Sequence, residues 1–158
     1  TNFLAILRGL GMLAESLITT YLALSILLLV AISLFTYGFA IIGRKLKNNN
    51  LFISSILFLV GNIMLTAFEA YAAYTPVSEN IVIYLFSLVL MGIFGLYFGI
   101  GIFNLRKKFG NAAKAAGILD IISAIGLISI ILSVLTIILV FPAVILETII
   151  LFRARKKL

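Results

Sequence analysis

Two apolar segments of this chain are longer than one membrane crossing requires, and they constrain the fold more than any other feature. The first runs from Leu10 to Gly43, about 34 residues, and the last runs from Ala115 to Phe152, about 38 residues. As single helices they would be about 51 and 57 Å long, against a bilayer hydrocarbon core of roughly 30 Å. The chain is therefore predicted to be an all-α, polytopic transmembrane helical bundle.

The overall composition supports a lipid environment. Hydrophobic residues make up 64% of the 158 residues, whereas a soluble domain has roughly 45 to 50%. The 12 Lys and Arg and the 5 Asp and Glu side chains fall mostly in short clusters between apolar segments. Cations in such places act as topology signals and headgroup anchors, so the predicted partner is the lipid bilayer and not a nucleic acid. The expected location is the cell (plasma) membrane.

The basic clusters and a turn signal around Pro76 divide a single predicted domain into four spans. These spans cover residues 16–43, 51–73, 81–105 and 121–146, with an interfacial amphipathic helix over about 1–15 and a basic tail over 153–158.

The distribution of positive charge conflicts with four spans. Cationic loops tend to stay in the cytoplasm, which places residues 44–47 and 106–114 inside. Four spans would then put the basic tail outside. Six short or re-entrant segments would gather the cations on one face, but they require turns near 24–28 and 132–135, where no Gly, Pro or Asn occurs. The missing turn residues favour four spans, with six segments as the alternative.

Polar residues on the second predicted span form a candidate intramembrane site. Asn62, Thr66 and Glu69 recur at helical spacing and lie on one face of the helix. A carboxylate inside hydrocarbon is costly and is often functional, which suggests a proton or cation site. The structural alternative is that Asn62 and Thr66 form interhelical hydrogen bonds and that Glu69 reaches headgroup water.

Small residues on the third and fourth predicted spans are interpreted as helix-packing faces. Such residues allow the backbones of two membrane helices to approach closely. The predicted packing residues are Gly92, Gly95, Gly99, Gly126, Ser129 and Ser133.

Two further acidic residues occur in the last apolar segment. Asp120 lies near its start and is interpreted as an interfacial charge. Glu147 would extend the strip that begins at Gly126 if one helix continued undistorted through Pro142.

The absence of two residue types limits the chemistry. The chain has no Cys and no His, which removes the usual ligands of haem, iron-sulfur clusters, zinc and copper. No phosphate loop or nucleophile elbow occurs, so no cofactor and no enzymatic activity are expected. The preferred prediction is a non-catalytic structural or accessory subunit that packs against other membrane subunits or as a homo-oligomer. The alternative is a small oligomeric transporter or ion channel with an intramembrane carboxylate.

Overall fold

The chain folds into a bundle of α-helices. A computed structural model describes residues 15–72, 77–129 and 133–157. In chain order the helices are α1 (Glu15–Lys45), α2 (Asn49–Ala72), α3 (Val77–Asn104), α4 (Arg106–Phe109), α5 (Asn111–Ile128) and α6 (Ser133–Lys157). No strand occurs among the described residues, and the all-α prediction is confirmed.

Among the residues that the structure describes, four helices contain a segment long and apolar enough to cross a membrane. The apolar segments are Thr19–Lys45, Asn49–Phe68, Val82–Asn104 and Asn111–Ile128. Helices suit apolar residues in lipid because each backbone N–H and C=O group is satisfied within the same segment. The outer surface of the bundle carries large exposed Leu, Ile, Val and Phe side chains, which lipid tails can cover.

The last predicted span, 121–146, is wrong because it is not one continuous helix. Helix α5 ends at Ile128, and the structure describes no residue from 130 to 132. Helix α6 runs back antiparallel to α5, since the Thr136 hydroxyl donates a 3.1 Å hydrogen bond to the carbonyl oxygen of Ser123. In a continuous helix these two residues would be about 20 Å apart along the axis.

Residues 127–129, at the described end of α5, include a serine and no Gly, Pro or Asn. The Ser129 N–H bonds to the carbonyl oxygen of Ile125 at 3.0 Å, and its hydroxyl donates to the carbonyl oxygen of Gly126 at 2.9 Å. Serine hydroxyls offer the backbone local alternatives to a continuing helix. The apolar segment is long enough for two helices, so its length is compatible with a reversal that its turn-residue content does not predict.

The six-segment alternative is correct for one long segment and wrong for the other. Helix α1 continues without interruption through residues 24–28, where that alternative required a turn. The predicted interfacial helix over 1–15 lies outside the described residues, apart from Glu15, where α1 begins.

The helices follow one another around the bundle. Helix α1 packs on α2, α2 on α3, α3 on α5 and α5 on α6, and α6 touches α1 over a short stretch. This order brings the basic segments to one end of the bundle, called the basic end below. There the Arg153 guanidinium donates a 3.4 Å hydrogen bond to the carbonyl oxygen of Phe109, and Lys45 and Arg155 line one groove.

The main hydrophobic core occupies the half of the bundle nearest the basic end. The Phe39 and Phe98 rings meet edge to face with centroids 5.5 Å apart, and the Phe58 and Phe98 rings stack at 4.9 Å. These three side chains join α1, α2 and α3, while Ile150 and Ala154 bring α6 into the same cluster. Aromatic pairs of this geometry contribute beyond their buried area, so the basic half holds the helices in register.

Candidate intramembrane carboxyl site

The predicted polar site on α2 is largely satisfied within its own helix. Asn62 is 9% exposed, and its side-chain N–H donates to the carbonyl oxygen of Phe58 at 2.8 Å. Thr66 is half-buried, and the side chain of Glu69 lies outside the described part of the structure. The structure therefore describes two of these three side chains, and it shows a bond within the same helix for Asn62.

The glycines predicted as packing residues on α3 lie against α5 of the same chain. A Cβ added at Gly92 would lie 2.9 Å from the Ala124 carbonyl oxygen, and one at Gly95 would lie 3.3 Å from the Ala124 Cβ. A Cβ at Gly99 would lie 2.9 Å from the Asp120 Cβ. This packing face is therefore occupied inside the monomer, which leaves it unavailable to a partner subunit.

The small residues predicted on the fourth span differ in exposure. Gly126 is buried and Ser129 is exposed with its hydroxyl on the Gly126 carbonyl. The side chain of Ser133 is outside the described part of the structure.

The close approach of α3 and α5 places a carboxyl group inside the bundle. Asp120 faces the backbone of α3 at Gly99, and Glu147 projects from α6 with 5% of its surface exposed. The two carboxyl groups are neighbours across the interface between α5 and α6, close enough for a hydrogen bond to form when one of them carries a proton. Asp120 lies about 14 Å along α5 from Asn111, at 1.5 Å per residue. The pair therefore lies well inside the apolar part of the bundle.

Three buried side-chain oxygen atoms have no hydrogen-bond partner among the described residues, and two of them are on α5 at or near this pair. The Oδ2 atom of Asp120 is buried without a hydrogen-bond partner, and so is the Oγ atom of Ser123, almost one turn further along α5. On α1, the Oγ1 atom of Thr36 is also buried and unpartnered. Buried polar atoms are normally hydrogen-bonded, and exceptions call for an explanation such as a functional role.

Two neighbouring carboxyl groups have a particular protonation chemistry. An ionised carboxylate has acceptors only, so a hydrogen bond between two carboxyl groups requires a proton on one of them. Like-charged carboxylates in one site resist simultaneous ionisation. The arrangement of Asp120 and Glu147 is therefore one in which a single proton can be shared. Separately, the residues described in the structure contain no group of three His, Cys, Asp or Glu side chains that could hold a metal ion.

The interpretation of Asp120 as an interfacial charge is wrong, because Asp120 is inside the bundle and next to Glu147. The wrong interpretation follows from the prediction of one continuous fourth span, which places Asp120 and Glu147 at opposite ends of one helix. The signal that could have found the pair was the charge distribution. Folding the last segment back brings Arg153 and Arg155 to the basic end and, at the same time, brings the two acids to one depth.

Comparison with known proteins adds no relative: no protein-family model matches the chain, and no curated protein or solved structure shows significant similarity to it.

Proposed function

We propose that this helical membrane protein transports protons across the membrane, and that Asp120 and Glu147 carry the transported proton. The observation that supports the proposal is the carboxyl pair between α5 and α6. Ionisable residues within membrane helices are rare because they are costly, and those that face a bundle interior mark ion pathways and proton relays.

The surroundings of the pair favour exchange of a proton over a purely structural role. Glu147 meets another acid and not a cation as its charged neighbour, so the interaction is not a neutralising salt bridge. Replacing both partners of a buried hydrogen bond by apolar groups can be nearly neutral or stabilising, so bundle stability does not require two buried acids. The unsatisfied Asp120 Oδ2 and Ser123 Oγ atoms provide further acceptor capacity beside it.

The test is proton flux in vesicles that contain the purified protein. A potassium diffusion potential would drive protons, and a pH-sensitive dye would report their entry. We expect flux with the wild-type protein and its loss in Asp120→Asn and in Glu147→Gln, since an amide keeps the shape of the side chain without a titratable proton.

Two other acids serve as matched comparisons. Glu79→Gln removes a carboxyl in the first turn of α3 and should leave flux unchanged. Glu69→Gln tests the site predicted on α2, and loss of flux in that variant alone would move the proton site to α2. Absence of flux from the wild-type protein would contradict the proposal.

A second candidate function is an accessory subunit of a membrane complex, and a specific feature of α1 favours it. Among the α1 side chains that the structure describes, residues 19–45, the buried ones all lie between Thr36 and Gly43, and residues 19–35 contribute none. Large side chains such as Leu27 and Leu34 are 70% and 69% exposed there. That surface could face a partner helix as well as lipid.

Purification of the tagged protein from its native membrane in mild detergent would distinguish the candidates. Foreign subunits in fixed proportion, measured by intact-complex mass, would support the accessory role. A monomer or a homo-oligomer that conducts protons would support transport.

A further inference from the structure

The bundle has a groove where it closes between α1 and α6. The two helices contact each other at Gly38, where an added Cβ would lie 3.0 Å from Leu151. A cavity of about 310 Å³ lies on one side of this contact and one of about 200 Å³ on the other. Leu151 and Arg155 line both cavities, so they are parts of a single groove along the outside of the bundle.

The groove has an apolar part and a cationic part. Phe35, Leu151 and Phe152 line the part that runs into the membrane. The hydroxyl of Thr148 in the same wall is used within its own helix, where it donates to the carbonyl oxygen of Val144 at 2.7 Å. At the basic end the lining includes Lys45 and Arg155, both of which are exposed.

We propose that this groove binds one anionic phospholipid. The acyl chain would lie against Phe35, Leu151 and Phe152, and the phosphate would lie between Lys45 and Arg155. From Phe35 to Lys45 the helix rises about 15 Å, a length that accommodates much of an acyl chain.

Charge complementarity favours an anionic phospholipid as the occupant of the groove. The two cations lie where the headgroup of a lipid in the groove would be, and guanidinium groups bind phosphate oxygens through paired hydrogen bonds. Basic pockets between membrane helices bind anionic lipid headgroups in this way. A second apolar helix would fill the apolar part of the groove but would bring no anion to Lys45 and Arg155.

The experiment is titration of the purified full-length chain in detergent, with bound lipid counted by native mass spectrometry. The probes are phosphatidylglycerol and phosphatidylcholine with identical acyl chains. We expect preferential retention of phosphatidylglycerol by the wild-type protein. The double variant Lys45→Gln/Arg155→Gln should lower that affinity by roughly tenfold or more, since each basic residue near the headgroup contributes to anion binding.

The matched control is Lys107→Gln/Lys114→Gln, which removes the same charge from the basic end but outside the groove. Both of its residues are exposed. Equal losses in the two double variants would mean general charge attraction and would overturn the proposal. Equal retention of the two lipids by the wild-type protein would overturn it as well.

Filling the groove with a bulky side chain is a separate test of the site. Ile41→Trp places a bulky side chain in the groove and should reduce lipid retention, whereas Leu34→Trp on the exposed surface of α1 should not. Displacement of the lipid by millimolar glycerol phosphate would mean that only the phosphate is bound, which contradicts a lipid site. Thermal melting without lipid verifies that each variant is folded.

Discussion

The hydroxyl of Thr136 on α6 donates a 3.1 Å hydrogen bond to the carbonyl oxygen of Ser123 on α5, and both residues are buried. This bond ties together two helices that one apolar segment of the sequence joins. It also identifies the face of α6 that points inward, since Ala143, Glu147 and Ile150 are buried along the same helix.

Replacement of Thr136 by Val should destabilise the bundle by about 1 kcal/mol, because the variant keeps the shape of the side chain and loses one interhelical hydrogen bond. Thr148→Val is the matched control, since the Thr148 hydroxyl bonds to its own helix at Val144. Unfolding of both variants in mixed micelles would measure the difference. Equal stability of the two variants would mean that the bond to Ser123 contributes nothing.

The return of α6 alongside α5 predicts the membrane topology. The chain contains no Cys, so single cysteines can be introduced and labelled with a membrane-impermeant reagent. Asn49→Cys, Asn111→Cys and Lys156→Cys should all react from one side of the membrane, the cytoplasmic side by the rule for positive charges. Ser78→Cys, in the first turn of α3, should react from the other side. Reaction of Lys156→Cys from the same side as Ser78→Cys would contradict the return of α6 and would support one continuous fourth span.

The apolar segments were sufficient to predict the fold class, because lipid leaves a chain few other ways to satisfy its backbone. They were not sufficient to place the break after Ile128. Ser129 at the end of α5 makes a local hydrogen bond of a kind that interior serines also make, as Ser54 and Ser55 do within α2. Serine is therefore a weak turn signal by itself.

The candidate site was missed for a related reason. Asp120 and Glu147 are far apart in sequence and come together only once α6 folds back. The charge conflict contained this information, because a returning helix places the Arg153 to Lys156 cations at the basic end. Turn-residue preference is weak in membrane helices, and the grouping of cationic segments on one side of the membrane is the stronger constraint here.

Among the glycines where α3 and α5 meet, Gly117 leaves the least room for a Cβ atom. A Cβ there would lie 2.5 Å from the Phe103 backbone nitrogen, so Gly117→Ala forces the two helices apart. Overpacking of this kind costs about 1 to 3 kcal/mol. Gly95→Ala is the graded control, because its nearest contact is the Ala124 Cβ at 3.3 Å. We expect a much larger drop in melting temperature for Gly117→Ala, and the reverse order would contradict the packing of α3 on α5.

We expect the carboxyl pair to lower the free energy of unfolding of the bundle. Replacing both Asp120 and Glu147 by Leu removes two buried polar groups together, and replacing a buried charged pair by apolar residues is often neutral or stabilising by about 1 to 4 kcal/mol. Asp120→Leu alone leaves Glu147 buried without its carboxyl neighbour, so the single variant should be less stable than the double variant by about 1 to 3 kcal/mol. The double variant should also lose proton flux.

Unfolding of the wild-type protein, both single variants and the double variant forms a thermodynamic cycle that isolates the coupling between the two side chains. A coupling energy near zero would mean that Asp120 and Glu147 do not interact in the folded bundle. A double variant that is more stable than the wild-type protein and has no flux would indicate that the pair is retained for transport, because the bundle folds better without it.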